Sequence, residues 1–269
     1  MDTLMSVTVR STDRDATVLE GRAGARLIDG CGTDECAWRS CSQIENLPTV
    51  DLAAWERRYA RIWIVSPHPD DEVLALGATM ARFSTMRADL RIVSVTAGTA
   101  SHPGSDRWTV ERLARVRPAE LRRAFDVLDI DAALFELGIP DGEVARHEET
   151  VTQFLTQRAS AADLIVAPWR WDGHPDHEAS AEAALRAAAR IGADLVEYPV
   201  WMWHWAMPAC DLIPWTRARC IRLNAGERDA KREAIKQFVS QVTPDTNRAA
   251  ILPPHVVARF TRPHEILFC

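Results

Sequence analysis

From residue 61 onward the chain alternates short apolar runs with segments of helical spacing, and this alternation restricts the fold more than any other feature. RIWIV (61–65) is an apolar run bounded by turn residues and reads as a buried strand. EVLALGATMARF (72–83) then carries apolar residues at helical spacing, LRIVSVTA (90–97) is a second strand, and TVERLARVRPAELRRAFDVL (109–128) is mostly helical. Pro118 predicts a helix restarting there, because proline suits a first helical turn. AALFEL (132–137), TVTQFLTQRA (150–159), DLIVAPW (163–169), HEASAEAALRAAARI (177–191) and DLVEYPVWMW (194–203) continue as strand, helix, strand, helix, strand. ARCIRL (218–223), a helix in ERDAKREAIKQFV (227–239) and HEILF (264–268), which suits an edge strand, come last. Helices of crossover length between strands predict a Rossmann-like three-layer α/β/α fold with a mainly parallel sheet. In such sheets ligands bind beyond the carboxyl ends of the strands.

Residues 1–58 show no clear period and read as an N-terminal extension, leaving 59–269 as the main domain. Leu19, Leu27, Ile28, Trp38, Leu47 and Trp55 are too many apolar side chains for a solvated linker, so the extension is expected to pack beside the sheet. The 269 residues are 47% hydrophobic, enough for a large core, and the net charge is −6 with no long basic run, so no nucleic-acid partner is expected. The N-terminus has no apolar signal region, and no stretch approaches the roughly 18 apolar residues of an integral membrane segment. A cytoplasmic protein is expected. The sequence leaves oligomeric state open, and a homo-oligomer is compatible with it. None of the six cysteines forms C-x-x-C; the even spacing of Cys31, Cys36 and Cys41 allows a metal cluster, but reduced thiols are the simpler reading.

The strand ends carry the chemistry. SPHPDD (66–71), GTASHPGS (98–105), GIPDGE (138–143) and RWDGHPDH (170–177) follow four different strands and hold His68, His102, His174 and His177. In PHPDD, Pro67 and Pro69 stiffen the loop while His68, Asp70 and Asp71 offer one imidazole and two carboxylates. One aspartate could cap the following helix, but that leaves the second aspartate and the histidine unexplained. Glu72 is read as a first-turn carboxylate favouring the helix dipole. In GHPDH, Pro175 suits a first turn, with His174 before it and His177 within it. Two histidines, a carboxylate and water make a catalytic zinc site, and His68, Asp71 and His177 fit that count. Asp70 is then left to take a proton from the attacking water, whose acidity the metal raises. His174 is left to stabilise an oxyanion and protonate a leaving group as an imidazolium, with Asp176 orienting it. These are parts for metal-assisted hydrolysis of an amide.

PHPDDE with a later HPDH resembles the zinc-dependent sugar N-deacetylases of the LmbE / PIG-L family, over about residues 60–268. Members of that family remove acetyl from N-acetylglucosamine groups in mycothiol, glycolipid-anchor and antibiotic pathways. The resemblance therefore implies hydrolysis of an N-acetyl or other N-acyl group on a small-molecule or glycolipid amino sugar. It implies one Zn²⁺ per chain on His68, Asp71 and His177, with Asp70 as base and His174 as electrostatic or acid partner. Zinc is a preference, because Fe²⁺ also binds imidazole and carboxylate. RVRPAELRRAFDVLDI looks like the family's R-x-x-E helix, which places Arg117 near substrate; LGIPDGE (137–143) looks like its Asp-Gly turn, which positions Asp141 for a sugar hydroxyl. YPVWMWHW (198–205) resembles its late aromatic strand, and KREAIKQFVSQ (231–241) its C-terminal helix. Trp171, Trp203 and His204 are candidate substrate contacts, since aromatics cover the apolar faces of sugars. The extension departs from a typical member, whose first strand lies near the N-terminus.

Two other functions fit the ligand set. A non-haem iron oxygenase also uses two histidines and a carboxylate, but the βα alternation argues against its usual all-β scaffold. A metal-stabilised sugar-binding module would have no use for Asp70 and His174, which proton transfer requires.

Overall fold

The computed structural model describes residues 26–246 and 248–269. Their centre is a seven-stranded sheet in the order β3-β2-β1-β4-β5-β7-β6. β1 (Ile62–Ser66), β2 (Leu90–Thr96), β3 (Ala133–Ile139), β4 (Leu164–Pro168) and β5 (Asp194–Tyr198) pair in parallel; β6 (Ala218–Arg222) and β7 (His264–Phe268) add an antiparallel border. HEILF is thus an internal strand, β7, and β6 is the border strand.

Strand alternation builds the three layers. Ile62 and Ile64 of β1, Leu90 and Ile92 of β2, and Leu164 and Val166 of β4 face one apolar cluster. Their neighbours Trp63, Val65, Val93, Val95, Ile165 and Ala167 face a second cluster on the other side. Because both faces are covered, these strands read as continuous apolar runs. Each fully buried Val, Leu or Ile contributes about 1.5–3 kcal/mol relative to exposure.

In chain order the helices are α1 (Glu35–Arg39), α2 (Ser42–Glu45), α3 (Leu52–Arg58), α4 (Asp71–Thr85), α5 (Val110–Val127), α6 (Glu148–Arg158), α7 (Pro175–Ile191), α8 (Met202–Trp205), α9 (Ala225–Ile235), α10 (Val239–Val242) and α11 (Pro254–Phe260). α4, α5 and α9 cover the first face, and α6 and α7 the second. The alanines of α7, among them Ala183, Ala184, Ala187 and Ala188, are buried and let that helix lie close to the sheet.

Three further expectations change. α5 is one helix with Pro118 inside it rather than a restart. The proline removes one backbone donor, and the Ala114 residue whose carbonyl loses its partner is exposed to water. The segment DLVEYPVWMW is a strand only to Tyr198, after which the chain turns into α8. The stretch before β1 is not irregular throughout: α1 and α3 begin where Asp34 and Asp51 cap the N–H groups of Cys36 and Ala54. At five and seven residues these helices are too short to show a period. Trp38, Leu47 and Leu52 are buried in the cluster beneath the sheet, and Trp55 packs against it. Leu27 is exposed, and Leu19 lies outside the described residues.

Candidate active site

The loop after β1 is held from several sides. The Ser66 hydroxyl donates to the His68 carbonyl and to Glu72, and the Thr96 N–H and hydroxyl both donate to the Pro67 carbonyl. His68, Asp70 and Asp71 are all buried and line a cleft of about 230 Å³. His174 and Asp141, from the loops after β4 and β3, line the same cleft.

His68, Asp71 and His177 converge. Asp71 Oδ2 lies 3.2 Å from His68 Nδ1 and 3.1 Å from His177 Nε2, and it also accepts the His68 backbone N–H at 3.0 Å. His177 Nε2 is buried and has no hydrogen-bond partner despite that proximity. Its other nitrogen, Nδ1, donates to Asp172 at 2.8 Å, leaving the Nε2 lone pair aimed beside Asp71. An orphaned imidazole nitrogen next to a carboxylate and a second imidazole fits a divalent cation. Burial pulls the His177 pKa down, but Asp71 and Asp172 outweigh it and push it up to about 9. Burial also raises Asp71, yet His177 and His68 hold it well below the usual carboxylate range. The charges that retain a proton here would equally retain a cation.

The far side of His68 faces two more carboxylates. Nε2 is 3.1 Å from Asp141 and 3.2 Å from Asp176. That nitrogen therefore carries a proton, and Nδ1 is the one turned to Asp71. Burial lowers the His68 pKa, but the bonds to Asp141, Asp176 and Asp71 raise it well above the ordinary value. Asp141 accepts the Ala100 N–H as well, so both its oxygens are engaged.

Asp176 does not orient His174 with its carboxylate, as the sequence suggested. That carboxylate serves His68 and the N–H groups of Gly142 and Val144. It is the Asp176 backbone N–H that donates to His174 Nδ1, at 3.2 Å, because His174 is the N-cap of α7. A ring nitrogen that accepts a backbone N–H belongs to a neutral imidazole, so the expected imidazolium is also corrected. Burial, with His177 and His68 close by, pushes the His174 pKa down to about 3.

Asp70 is paired with Arg117. The guanidinium donates to Asp70 Oδ2 at 2.9 Å, to the Gly98 carbonyl at 2.8 Å and to the Pro69 carbonyl at 3.3 Å. Arg117 is only 3% exposed. It holds the candidate base and lines the same cleft. Gly98 has φ +61, and a Cβ there would run into this guanidinium, so glycine is required. Burial raises the Asp70 pKa to about 7, against the pull of Arg117. Glu72 is more than a dipole partner: it is fully buried, accepts the Asp70 N–H, and is pushed up to about 8 by burial.

Three candidate substrate contacts do not reach the cleft. His204 spends Nε2 on the Asp29 carbonyl and Nδ1 on Arg259, tying the N-terminal segment to the core. Trp203 is buried edge-on against Trp38 beneath Arg262. Trp171 stacks under Arg26. Trp201, three residues past the end of β5 and the N-cap of α8, is the tryptophan that lines the cleft. Among the described residues Cys31, Cys36 and Cys41 form no group that could hold a metal; the first two are exposed and the third is buried. The sequence reading missed Asp172, a fully buried carboxylate that accepts from His177 and from the backbone N–H groups of Val200, Trp201 and Met202. Its position five residues before His177, in RWDGHPDH, was the available signal.

Residues 63–188 match the family model described as PIG-L, GlcNAc-PI de-N-acetylase. Residues 63–188 belong to the PIG-L family. This PIG-L segment contains the proposed metal ligands, Asp70 and His174. The 1D-myo-inositol 2-acetamido-2-deoxy-alpha-D-glucopyranoside deacetylase of Mycobacteroides abscessus is 24% identical over 243 residues, covering 74% of this chain and 87% of that protein. The enzyme of the same name from Mycobacterium leprae is 27% identical over 176 residues, covering 53% of this chain and 56% of that protein. The chain thus spans most of the first relative and little more than half of the second. Among solved structures, a deacetylase of teicoplanin biosynthesis superposes with a TM-score of 0.58 at 19% identity, covering 77% of this chain and 96% of that one. At that identity the likeness concerns the fold.

Proposed function

We propose that this chain is a metal-dependent N-deacetylase that hydrolyses the N-acetyl, or another N-acyl, amide of an N-acetylglucosamine-type sugar. The observation that carries the reading is the buried, unpartnered His177 Nε2 set 3.1 Å from Asp71, with His68 on the other side of the same carboxylate. His68, Asp71 and His177 would hold one divalent ion; zinc suits two imidazoles and a carboxylate, and Fe²⁺ binds the same donors. Bound there, the ion supplies Lewis acidity to the acyl oxygen and acidifies the attacking water.

The chain's own residues do the rest. Arg117 keeps Asp70 beside the cleft, where its carboxylate takes a proton from water as the water attacks the amide carbon. His174, neutral and with Nδ1 occupied by the Asp176 N–H, presents Nε2–H to the developing oxyanion. A neutral imidazole cannot give up that proton without becoming an imidazolate. The proton for the leaving nitrogen therefore comes back from Asp70, and the C–N bond breaks to yield the free amine and the carboxylic acid. Asp141 and Asp176 orient His68, and Asp172 orients His177. Asp70 and His174 are surplus to the ligand set, which argues against a binding module without turnover.

We place the enzyme in the cytoplasm, a location supported by the free thiols at all six cysteines. No helix among the described residues is long and apolar enough to cross a membrane. A division into an extension at 1–58 and a deacetylase domain at 59–269 belongs to the same proposal, supported by a family match that begins at residue 63. The test is acyl release: metal-loaded protein incubated with N-acyl glucosaminides should yield the free amino sugar by mass spectrometry. Asp70→Asn should keep its metal and lose about 10²–10⁴ in turnover, the usual worth of a positioned base. A variant that loses metal instead would make Asp70 a ligand.

A further inference from the structure

The cleft has two kinds of lining. Besides its ionic groups it is lined by Leu74, Trp201, Ile251 and Leu252, drawn from three separate parts of the chain. Leu74 stands one helical turn beyond Asp70, its N–H bonded to the Asp70 carbonyl at 2.8 Å. Leu252 is fixed by its N–H to the carbonyl of Gln241, a buried neutral amide that also lines the cleft. The half-buried Trp201 and Ile251, backed by the buried Leu74 and Leu252, give a ligand apolar surface within reach of the reacting centre, and burying such surface is favourable roughly in proportion to its area.

The charge in the cleft points the same way. Asp70, Asp71 and Asp141 line it; Arg117 is the arginine among the described lining residues, its two terminal nitrogens are taken by Asp70 and two carbonyls, and its Nε is buried. One guanidinium and one bound divalent ion balance three carboxylates, with no positive charge left over. A phosphate entering this space would lose hydration without gaining the guanidinium fork or amide cradle that phosphate recognition uses.

Building on the deacetylase reading, we infer that the substrate is an uncharged N-acyl glycoside whose apolar part lies against Leu74, Trp201, Ile251 and Leu252, and that a phosphodiester-linked amino sugar is discriminated against. The test uses three probes: the phenyl glycoside of N-acetylglucosamine, its methyl glycoside, and the phenyl phosphodiester of N-acetylglucosamine 1-phosphate. Binding is measured by calorimetry on the metal-loaded wild type with the acetamide of each probe replaced by an unhydrolysable methanesulfonamide, which keeps Asp70 on Arg117, and kcat/KM on the wild type with the probes themselves. The phenyl glycoside should bind about tenfold tighter than the methyl glycoside, the gain expected from burying about two methylene equivalents, and also tighter than the phosphodiester, which carries the same phenyl group but must desolvate a charge. Ile251→Lys, at a half-buried loop position, should narrow the gap to the phosphodiester by adding a cation to the wall. Tight phenyl glycoside binding without acyl release would leave this inference standing and end the deacetylase reading. Equal or tighter binding of the phosphodiester, or no binding of the phenyl glycoside, would overturn the inference whatever the turnover.

Discussion

Two clusters of buried charge sit along helix α4, and they are finished differently. At its N-terminus are Asp70, Asp71 and Glu72 with His68 and His177. Midway, the helix departs from helical geometry at Leu76 (φ −133°), and Glu265 of β7 accepts the N–H groups of Ala78 and Thr79 at 3.0 and 2.9 Å. Lys231 of α9 completes that second cluster at 2.6 Å from Glu265. Both oxygens of Glu265 are saturated by donors from the chain itself. In the first cluster His177 Nε2 and Glu72 Oε1 lack partners, and carboxylates face one another across shared imidazoles. Burying charge costs free energy unless partners compensate. The second cluster is complete as a piece of structure; the first is complete only with a cation, and that is the difference between a fold-holding pair and a site.

The largest effect expected is on the open cluster. His177→Ala removes the orphaned donor, so metal analysis should fall from about one divalent ion per chain to background, with turnover following it. Stoichiometric metal in that variant would refute the ligand assignment and erase the contrast. The closed cluster should respond in stability. Lys231→Met leaves Glu265 buried with its charge uncompensated and should cost about 3–5 kcal/mol in denaturant unfolding, while folded protein still binds metal. Unchanged stability would mean the lysine is dispensable and the second cluster no more finished than the first. A smaller effect tests the layer behind the metal. Asp172→Asn keeps an acceptor but weakens the orientation of His177, and chelator competition should show metal affinity reduced about 10–100-fold. An unaltered affinity would reduce Asp172 to a cap for the backbone of residues 200–202.

Much of this was legible beforehand, for reasons that can be stated residue by residue. Strands buried on both faces announce themselves as runs such as IWIV, and the order of runs and helices along the chain dictates a parallel sheet whose loops meet at one edge. PHPDD and GHPDH placed two imidazoles and a carboxylate at that edge, and those three converge. Roles that depend on which atom faces which were not legible. Asp176 was paired with His174 because they are close in sequence, yet its carboxylate is turned across the cleft to His68, 108 positions away. That Arg117, which lines the cleft, would also hold Asp70 by a bond across 47 positions was not written in the spacing of its helix. Trp203 looked like a substrate contact, until the change from strand to helix after Tyr198 turned it against Trp38 and left Trp201 in the cleft lining.

The sequence by itself determined the alternation of elements, the edge of the sheet where chemistry gathers, and the identity of the donors. These follow from period, turn chemistry and residue type, which are local properties. Only the tertiary structure decided that HEILF would lie inside the sheet, that Glu265 would meet the break in α4, that His174 would be neutral, and that His177 would be left with a bare nitrogen beside Asp71. Each of those rests on a contact between residues far apart in the chain, or on the direction of a single side-chain atom. Periodicity carries no information about either, because side chains take their partners only once the layers have packed.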